Sequence, residues 1–206
     1  MSRRFFFAIR YLPAQADSAL LAGRCITTLH GFLLGHRDVQ IGIAFPNWND
    51  SALGRTVAFV SESRAHLEIF RQRAYFQSMY QDGLFGLSPV LEVPDDCSEV
   101  RFIRNQNLAK LFVGERKRRL ARSKRRAEAR GEEFLPSVPA ENMDVGLFHS
   151  ALLQSHTNQQ TYVLHIQAQH CDRQNNNLDF SHFGLASPDK YRGTVPMLTA
   201  IVNTLF

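Results

Sequence analysis

The sequence has few cysteines and no long apolar segment. Its three cysteines, Cys25, Cys97 and Cys171, lie far apart and outside any CxxC spacing, which argues against a disulfide framework, a zinc knuckle and redox chemistry. No apolar run approaches the roughly 18 residues that span a bilayer. The apolar run at residues 5–9 is also shorter than the core of a signal peptide, about 7 to 15 residues. We therefore predict a cytoplasmic protein.

Metal-binding motifs are also lacking. The eight histidines form no HExxH motif and no comparable cluster of ligands. Metal ligands with a defined spacing are the usual sequence sign of metal catalysis. We predict no metal and no other cofactor.

Positive charge is concentrated in one segment. Residues 101–130 hold twelve Lys or Arg and two acids, whereas the rest of the chain holds twelve Lys or Arg and seventeen acids. This asymmetry indicates a polyanionic partner, most often nucleic acid, because neutralising phosphates releases condensed counterions. A solvated charged helix is the alternative, although cations at this density repel one another without a partner.

The first half of the chain alternates strand-like and helix-like segments. Four apolar or alternating segments are typical of strands, at residues 4–12, 39–45, 56–60 and 89–93. Asp17 or Ser18 caps a first helix. Its apolar residues recur at the spacing of one buried face: Leu21, Cys25, Ile26, Leu29 and Leu33. Ser61 or Ser63 caps a second helix that runs to Met79.

The resulting order, strand, helix, strand, strand, helix, strand, is the ferredoxin-like βαββαβ pattern. We therefore predict an α+β protein whose N-terminal ferredoxin-like domain covers residues 1–94. RNA-recognition domains often use this fold, but they read RNA through an RNP motif of sheet aromatics. The sequence contains no such motif, so the fold does not place RNA on this sheet.

Residues 95–206 are predicted to form a second α+β domain that binds an RNA hairpin and contains the basic helix. Its other predicted elements are strands at residues 100–104, 161–169 and 178–185, a short apolar helix at 145–153, a break at 136–139 and a turn at 174–177. A loop at residues 132–141 is a candidate for movement on ligand binding. No internal repeat is evident.

The basic helix is predicted over residues 115–130. Within it, arginines recur at three and four residues along one broad face: Arg118, Arg119, Arg122, Arg125 and Arg126. Such a helix fits the major groove of B-DNA, or that of an RNA hairpin opened near a loop or end. No heptad zipper follows the helix, which disfavours a basic-region dimer.

Two polar residues precede the basic helix. Arg104 and Gln106 alternate along a segment that we predict to be extended, so both side chains lie on one face. They are suited to hydrogen-bond base edges. An ordinary polar surface explains this short pattern equally well.

Several short motifs, in order, carry a family resemblance. They are Thr28-Leu29-His30, Ile41-Gly42-Ile43-Ala44-Phe45-Pro46, Arg104-x-Gln106, Arg119-Leu120-Ala121-Arg122, Ser155-x-Thr157, Tyr162-x-Leu164-x-Ile166 and Phe183-Gly184-Leu185. Their order and spacing resemble the CRISPR-associated endoribonucleases of type I-F systems, the Csy-type enzymes that cut precursor CRISPR RNA within each repeat. No single motif is specific, but together they extend over most of the chain.

The resemblance implies a catalytic mechanism without a metal ion. A histidine at the position of His30 removes the proton from a ribose 2′-hydroxyl, which attacks the adjacent phosphate and releases a downstream strand with a 5′-hydroxyl. A serine at the position of Ser155 holds that hydroxyl in line. Such enzymes stay bound to the mature guide RNA within a surveillance complex.

The resemblance also implies the RNA contacts. Arg104 and Gln106 correspond to residues that read bases of the hairpin, and Tyr162 corresponds to an aromatic that stacks on the terminal base pair. Thr157 falls among the RNA-binding residues. The arginine-rich helix in the hairpin's major groove corresponds to Arg116 through Arg126, with Arg119 and Arg122 the closest matches.

The chain departs from the family pattern at two positions. A tyrosine that orients the histidine falls at Phe183, which keeps the ring and lacks the hydroxyl, and one groove arginine falls at Ser123. His182 or Tyr191 are alternative residues for the orienting role. These features resemble the branch carried by Tn7-like transposons, which implies backbone subunits and a transposition adaptor protein as partners.

Three functions therefore remain open. The first is the endoribonuclease that stays on its product. The second is a catalytically silent hairpin-binding subunit, which the departure at Phe183 favours. The third is a basic DNA-binding regulator, which the missing dimerisation element disfavours.

Overall fold

A computed structural model describes residues 3–134, 146–154, 160–171 and 177–206. Its first sheet is centred on strand β1 (Phe5–Tyr11). The other strands of this sheet are β2 (Gly42–Ala44), β3 (Thr56–Ser61), β4 (Phe85–Leu87) and β5 (Leu91–Glu92). The strand order is β2-β3-β1-β4, with β5 also paired to β1, and every pair is antiparallel. This order confirms the ferredoxin-like prediction.

Helix α1 (Ser18–Gly35) covers this sheet as its spacing predicts. Asp17 is the N-cap, and its carboxylate accepts a hydrogen bond from the Leu20 amide at 3.0 Å. The predicted face is buried at Cys25, Ile26, Leu29 and Leu33, with Leu21 packed at its margin. Burial of this apolar face therefore sets the orientation of α1 on the sheet.

The predicted second helix is two helices, α2 (Arg64–Arg71) and α3 (Ala74–Gln81). Residues six apart point in different directions on a continuous helix of 3.6 residues per turn. The break at Arg73, whose ψ is 137°, turns both Phe70 and Phe76 into the core, where their rings lie 5.2 Å apart. Tertiary packing explains this difference from the prediction.

The fourth strand is shifted and divided relative to the prediction at residues 89–93. Pro89 lies between β4 and β5 and has no amide to donate to the ladder. Ser88 replaces part of the ladder, because its hydroxyl oxygen accepts from the Ala8 amide at 2.8 Å. Strand β2 is also shorter than the predicted residues 39–45.

The second sheet contains β6 (Glu99–Arg104), β7 (His149–Gln154), β8 (Thr161–Cys171) and β9 (Val195–Pro196). Its order is β7-β8-β6-β9, again antiparallel. Numbered within its own half of the chain, each sheet has the strand order second, third, first, fourth. The two halves therefore share a topology, although the sequence shows no repeat. No helix lies between β8 and β9 over the described residues 177–194.

Two predictions in the second half are wrong. The predicted apolar helix at residues 145–153 forms strand β7 from His149 onward, because Ala151 and Leu153 alternate toward the core. The predicted strand at residues 178–185 is irregular and closes in a turn at Gly184, whose φ is +71°. The predicted break at 136–139 lies outside the described residues, as do most of the loop at 132–141 and most of the turn at 174–177.

The remaining elements are helical. A 3-10 helix spans Gln106–Leu111, and α4 spans Val113–Arg130, which confirms a helix in the basic segment. The helix ends at Gly131 in the left-handed region, with φ of 68°. Helix α5 (Thr199–Leu205), absent from the predictions, returns to the first sheet, where the Thr199 hydroxyl donates to the Pro46 carbonyl at 2.6 Å.

The two sheets share one continuous core. A buried ion pair joins Arg4, the residue before β1, to Glu99 at the start of β6, because Arg4 donates to both carboxylate oxygens of Glu99 at 3.1 and 2.5 Å. Burial of such a pair requires this good geometry, since each ion loses its hydration. The division at residue 94 stays a prediction. Among the described helices, none combines the length and apolarity needed to cross a bilayer.

Helix α1 touches β7 through a glycine. A Cβ built on Gly23 would lie 1.8 Å from the Leu152 carbonyl oxygen, so only glycine permits this close approach. We expect Gly23→Ala to destabilise the fold by about 1–3 kcal/mol, because the backbones must separate. Denaturant unfolding measures the change. As a control, Gly31→Ala meets nothing within 4 Å and should stabilise the helix by roughly 0.5–1 kcal/mol; equal effects at the two positions would contradict the packing argument.

Candidate functional site

His30 lies in the penultimate turn of α1, beside the turn that contains Phe183. Its imidazole stacks on the Phe183 ring, with centroids 4.6 Å apart and planes inclined by 10°. Its Nδ1 lies 3.3 Å from the His182 carbonyl oxygen. Because a carbonyl oxygen only accepts, this contact selects the tautomer with hydrogen on Nδ1 and leaves the Nε2 lone pair available.

The Phe183 turn is held in place by Gly184. Its carbonyl accepts from the Ile43 amide of β2 at 2.8 Å, and its own amide donates to the Ser181 carbonyl at 2.8 Å. A Cβ on Gly184 would lie 2.6 Å from Leu29 Cδ2. The close approach to Leu29, the neighbour of His30, fixes the two rings in contact.

Arg104 lies on the same aromatic ring. Its guanidinium carbon is 4.6 Å from the Phe183 centroid, a cation–π distance. Partial burial lowers the pKa of Arg104, although arginine stays charged near neutral pH. Phe183 therefore contacts both the candidate base and a candidate RNA-reading cation.

Gln106 contacts Arg104, but not as the sequence predicts. Arg104 ends β6, whereas Gln106 begins the 3-10 helix, so the two residues do not lie on one extended segment. With its amide oxygen toward the guanidinium, Gln106 accepts from Arg104 Nε at 2.7 Å and from Nη2. The pair is thus a preformed polar unit, and Gln106 limits the orientations of Arg104.

Helix α4 presents the predicted cationic surface. Phe112, its N-cap residue, stacks on His165 at 5.1 Å and so anchors the start of the helix. The described side chains of four predicted arginines are exposed: Arg118, Arg122, Arg125 and Arg126. Arg116 and Arg119 lie within the helical span. An exposed surface of this charge attracts phosphates.

An open groove of about 860 Å³ has His30 in its wall. Tyr162 of β8, 36% exposed, lines the same groove, and so does Gln154 at the end of β7. The groove therefore brings two predicted site residues together. Ser155 and Thr157, which follow β7, lie outside the described residues.

The groove also contains two arginines that the sequence analysis missed. Arg24 of α1 and Arg73 of the α2–α3 break both line it. Helical spacing from Thr28 and Gly31 could have placed Arg24 on this face, whereas the position of Arg73 depends on the break. The carbonyl of His182 was also missed, because a backbone acceptor has no sequence pattern.

Metal ligands do not cluster in the part of the chain that the structure describes. No group of three or more His, Cys, Asp or Glu there has an arrangement able to hold an ion. The polar side chains that the groove lining contains are one imidazole, two guanidinium groups, amides and hydroxyls.

The fold and this site define an α+β protein with a histidine-lined groove and a basic helix. A family model described as "CRISPR-associated protein (Cas_Csy4)" matches residues 6–198. The chain belongs to this family, which confirms the resemblance read from the motifs.

A search of curated proteins finds no match. Among solved structures, a chain titled "CRISPR associated protein Cas6" is similar at 8% sequence identity and a TM-score of 0.34, covering 95% of this chain and 99% of that chain.

Proposed function

We propose that this protein is an endoribonuclease that binds the stem-loop of CRISPR repeat RNA and cuts precursor CRISPR RNA by attack of a 2′-hydroxyl. Family membership supports the CRISPR RNA substrate. The observation that carries the proposal is the His30 site, where the Phe183 stack and the His182 carbonyl leave Nε2 available at the wall of an open groove.

In the proposed reaction His30 acts as the general base. Its Nε2 takes the proton of the 2′-hydroxyl, the 2′-oxygen bonds to the adjacent phosphorus, and the bond to the 5′-oxygen breaks. The products are a 2′,3′-cyclic phosphate and, after proton uptake, a 5′-hydroxyl. Ser155 holds the nucleophile in line, so positioning adds to base catalysis, which typically contributes about 10² to 10⁴-fold. None of these steps requires a metal ion.

The proposed RNA contacts separate positioning from readout. Helix α4, from Arg116 to Arg126, enters the major groove of the hairpin and neutralises phosphates. Arg104 and Gln106 contact base edges, which gives sequence preference. Tyr162 stacks on the terminal base pair, and Thr157 contributes a further RNA contact.

The enzyme then remains on its product. We infer that it turns over once and becomes a subunit of a type I-F guide-RNA complex with backbone subunits. In the branch carried by Tn7-like transposons, a transposition adaptor protein is a further partner. Departures from the family pattern at Phe183 and Ser123 support this branch.

The second candidate function is a silent hairpin-binding subunit, which the missing hydroxyl at Phe183 favours. One assay separates it from the nuclease and from a DNA-binding regulator. The full chain is incubated in EDTA with its repeat hairpin, with the same hairpin carrying a 2′-deoxy nucleotide at the cut site, and with duplex DNA. Cutting of the first RNA alone supports the nuclease; tight RNA binding without cutting supports the silent subunit, and a preference for DNA supports the regulator.

Removal of Arg104 should reduce sequence preference more than affinity. A bidentate arginine contact to guanine discriminates by about 1–3 kcal/mol, so Arg104→Ala should bind matched and altered hairpins almost equally. Competition binding with single base-pair changes in the stem measures the loss. Gln106→Ala tests the preformed pair, and an equal loss of affinity for every hairpin would contradict direct readout by Arg104.

Phe183 should orient His30 through its ring. Phe183→Leu removes the stacked plane, and misplacement of a reacting group costs up to about 10²-fold in rate. Phe183→Tyr keeps the ring and restores the family hydroxyl, so it should cut at the same rate or faster. Single-turnover cleavage at saturating protein measures both rates. Wild-type cutting by Phe183→Leu would contradict the orienting role.

A further inference from the structure

We propose that the groove beside His30 holds the single-stranded RNA on the leaving side of the cut. This inference rests on the proposed function, because it takes His30 as the base at the scissile linkage. It assigns Arg24 and Arg73 as substrate-binding residues outside both the basic helix and the Arg104–Gln106 pair.

Charge in the groove favours a polyanion. Arg24 and Arg73 line it and are exposed, and no acidic residue belongs to its described lining. Neither guanidinium forms an ion pair with another residue of the described chain. Two cations directed into one groove raise the local concentration of phosphates.

Continuity of the RNA chain selects the leaving strand. The phosphate attacked near His30 is bonded directly to the first leaving nucleotide, so that strand begins at the groove wall. Tyr162 lines the same groove and, in the proposed function, marks the end of the stem. The 5′ flank begins on the opposite strand of the terminal base pair, away from the scissile linkage.

The apolar lining suits unpaired bases. Leu34 and Ile69 line the groove and are 53% and 54% exposed, and the partly buried Tyr75 belongs to the same lining. Exposed apolar side chains mark interaction surfaces. Surfaces that bind single strands combine cations for the phosphates with aromatic rings on which bases stack, and Tyr75 and Tyr162 are the rings of this groove. A duplex would direct its phosphates outward and leave this lining unused.

Binding to hairpins with different tails tests the proposal. Repeat hairpins with no tail, a 3′ tail or a 5′ tail all carry a 2′-deoxy nucleotide at the cut site, so no RNA is consumed. The full chain is compared with Arg24→Ala/Arg73→Ala and with a control, Arg3→Ala/Arg37→Ala, which removes two exposed charges outside the groove lining. We expect the 3′ tail to tighten binding by the wild type by roughly 25-fold at 0.1 M salt, because two single-strand phosphate contacts each steepen the dependence of log K on log salt by about 0.7 over the decade up to 1 M.

The groove variant should lose that gain and bind the tail-free hairpin like the wild type, whereas the control keeps the gain. If every hairpin binds tightly and the 3′ tail has no effect on affinity, the inference is overturned and the proposed function stands. The same holds if the 5′ tail, and not the 3′ tail, tightens binding. Failure to bind any hairpin overturns the proposed function itself. Arg24→Gln/Arg73→Gln provides the same test if the alanine pair fails to fold.

Discussion

His30→Ala should abolish cleavage of the repeat hairpin and leave binding nearly unchanged. The imidazole acts on a proton in the transition state and contributes little to ground-state affinity. Loss of a general base costs typically 10² to 10⁴-fold in rate. Single-turnover cleavage and equilibrium binding, measured on the same RNA, separate the two effects.

The control for this variant is His170→Ala. His170 is an exposed histidine of β8 that does not line the groove of His30, so its removal should leave cleavage at the wild-type rate. Ser155→Ala should slow cutting less completely than His30→Ala. Full-rate cutting by His30→Ala, or cutting by the wild type that stops on chelation of metals, would contradict the mechanism.

Arg122→Ala/Arg125→Ala should weaken hairpin binding and flatten its salt dependence. Both side chains are exposed on α4. For duplex DNA each neutralised phosphate steepens the dependence of log K on log salt by about 0.9. One such contact therefore strengthens binding roughly tenfold at 0.1 M salt relative to 1 M salt. We expect effects of comparable size for each contact with the hairpin. Binding isotherms across a salt series measure both quantities.

A control variant shows whether the effect depends on the position of the lost charges. Arg3→Ala/Arg37→Ala removes the same number of charges away from α4. The ion pair of Arg3 with Glu92 is exposed, and such pairs contribute little to stability. It should keep the wild-type slope. An unchanged slope in the α4 variant would show that this surface does not contact RNA phosphates.

The sequence alone predicts the elements whose apolar periodicity or charge lies within one short segment. The buried stripe of α1, the apolar β1, the alternating β8 and the helix of the basic segment follow from local spacing. The order of the first-half elements also sufficed for the ferredoxin-like sheet. Family motifs further identified His30, Phe183 and Arg104, although their assigned roles stay predictions.

Long-range packing sets the short and irregular elements. Residues 149–154 have a pattern compatible with helix, but pairing with β8 and contact with α1 make them strand β7. Packing of Phe70 and Phe76 divides the second helix. In each case long-range burial outweighs local propensity, which differs by about 1 kcal/mol or less between ordinary residues.

The candidate site depends on the same long-range contacts. Phe183 follows His30 by more than 150 residues, and the Gly184 carbonyl bonded to β2 holds their rings together. The sequence supplied the residue types, namely an imidazole, a phenyl ring and arginines. Their distances, the contact of His30 Nδ1 with the His182 carbonyl and the groove shared by Arg24 and Arg73 arise only where α1, the Phe183 turn and β8 meet. Contacts between such distant segments leave no periodic pattern in the sequence.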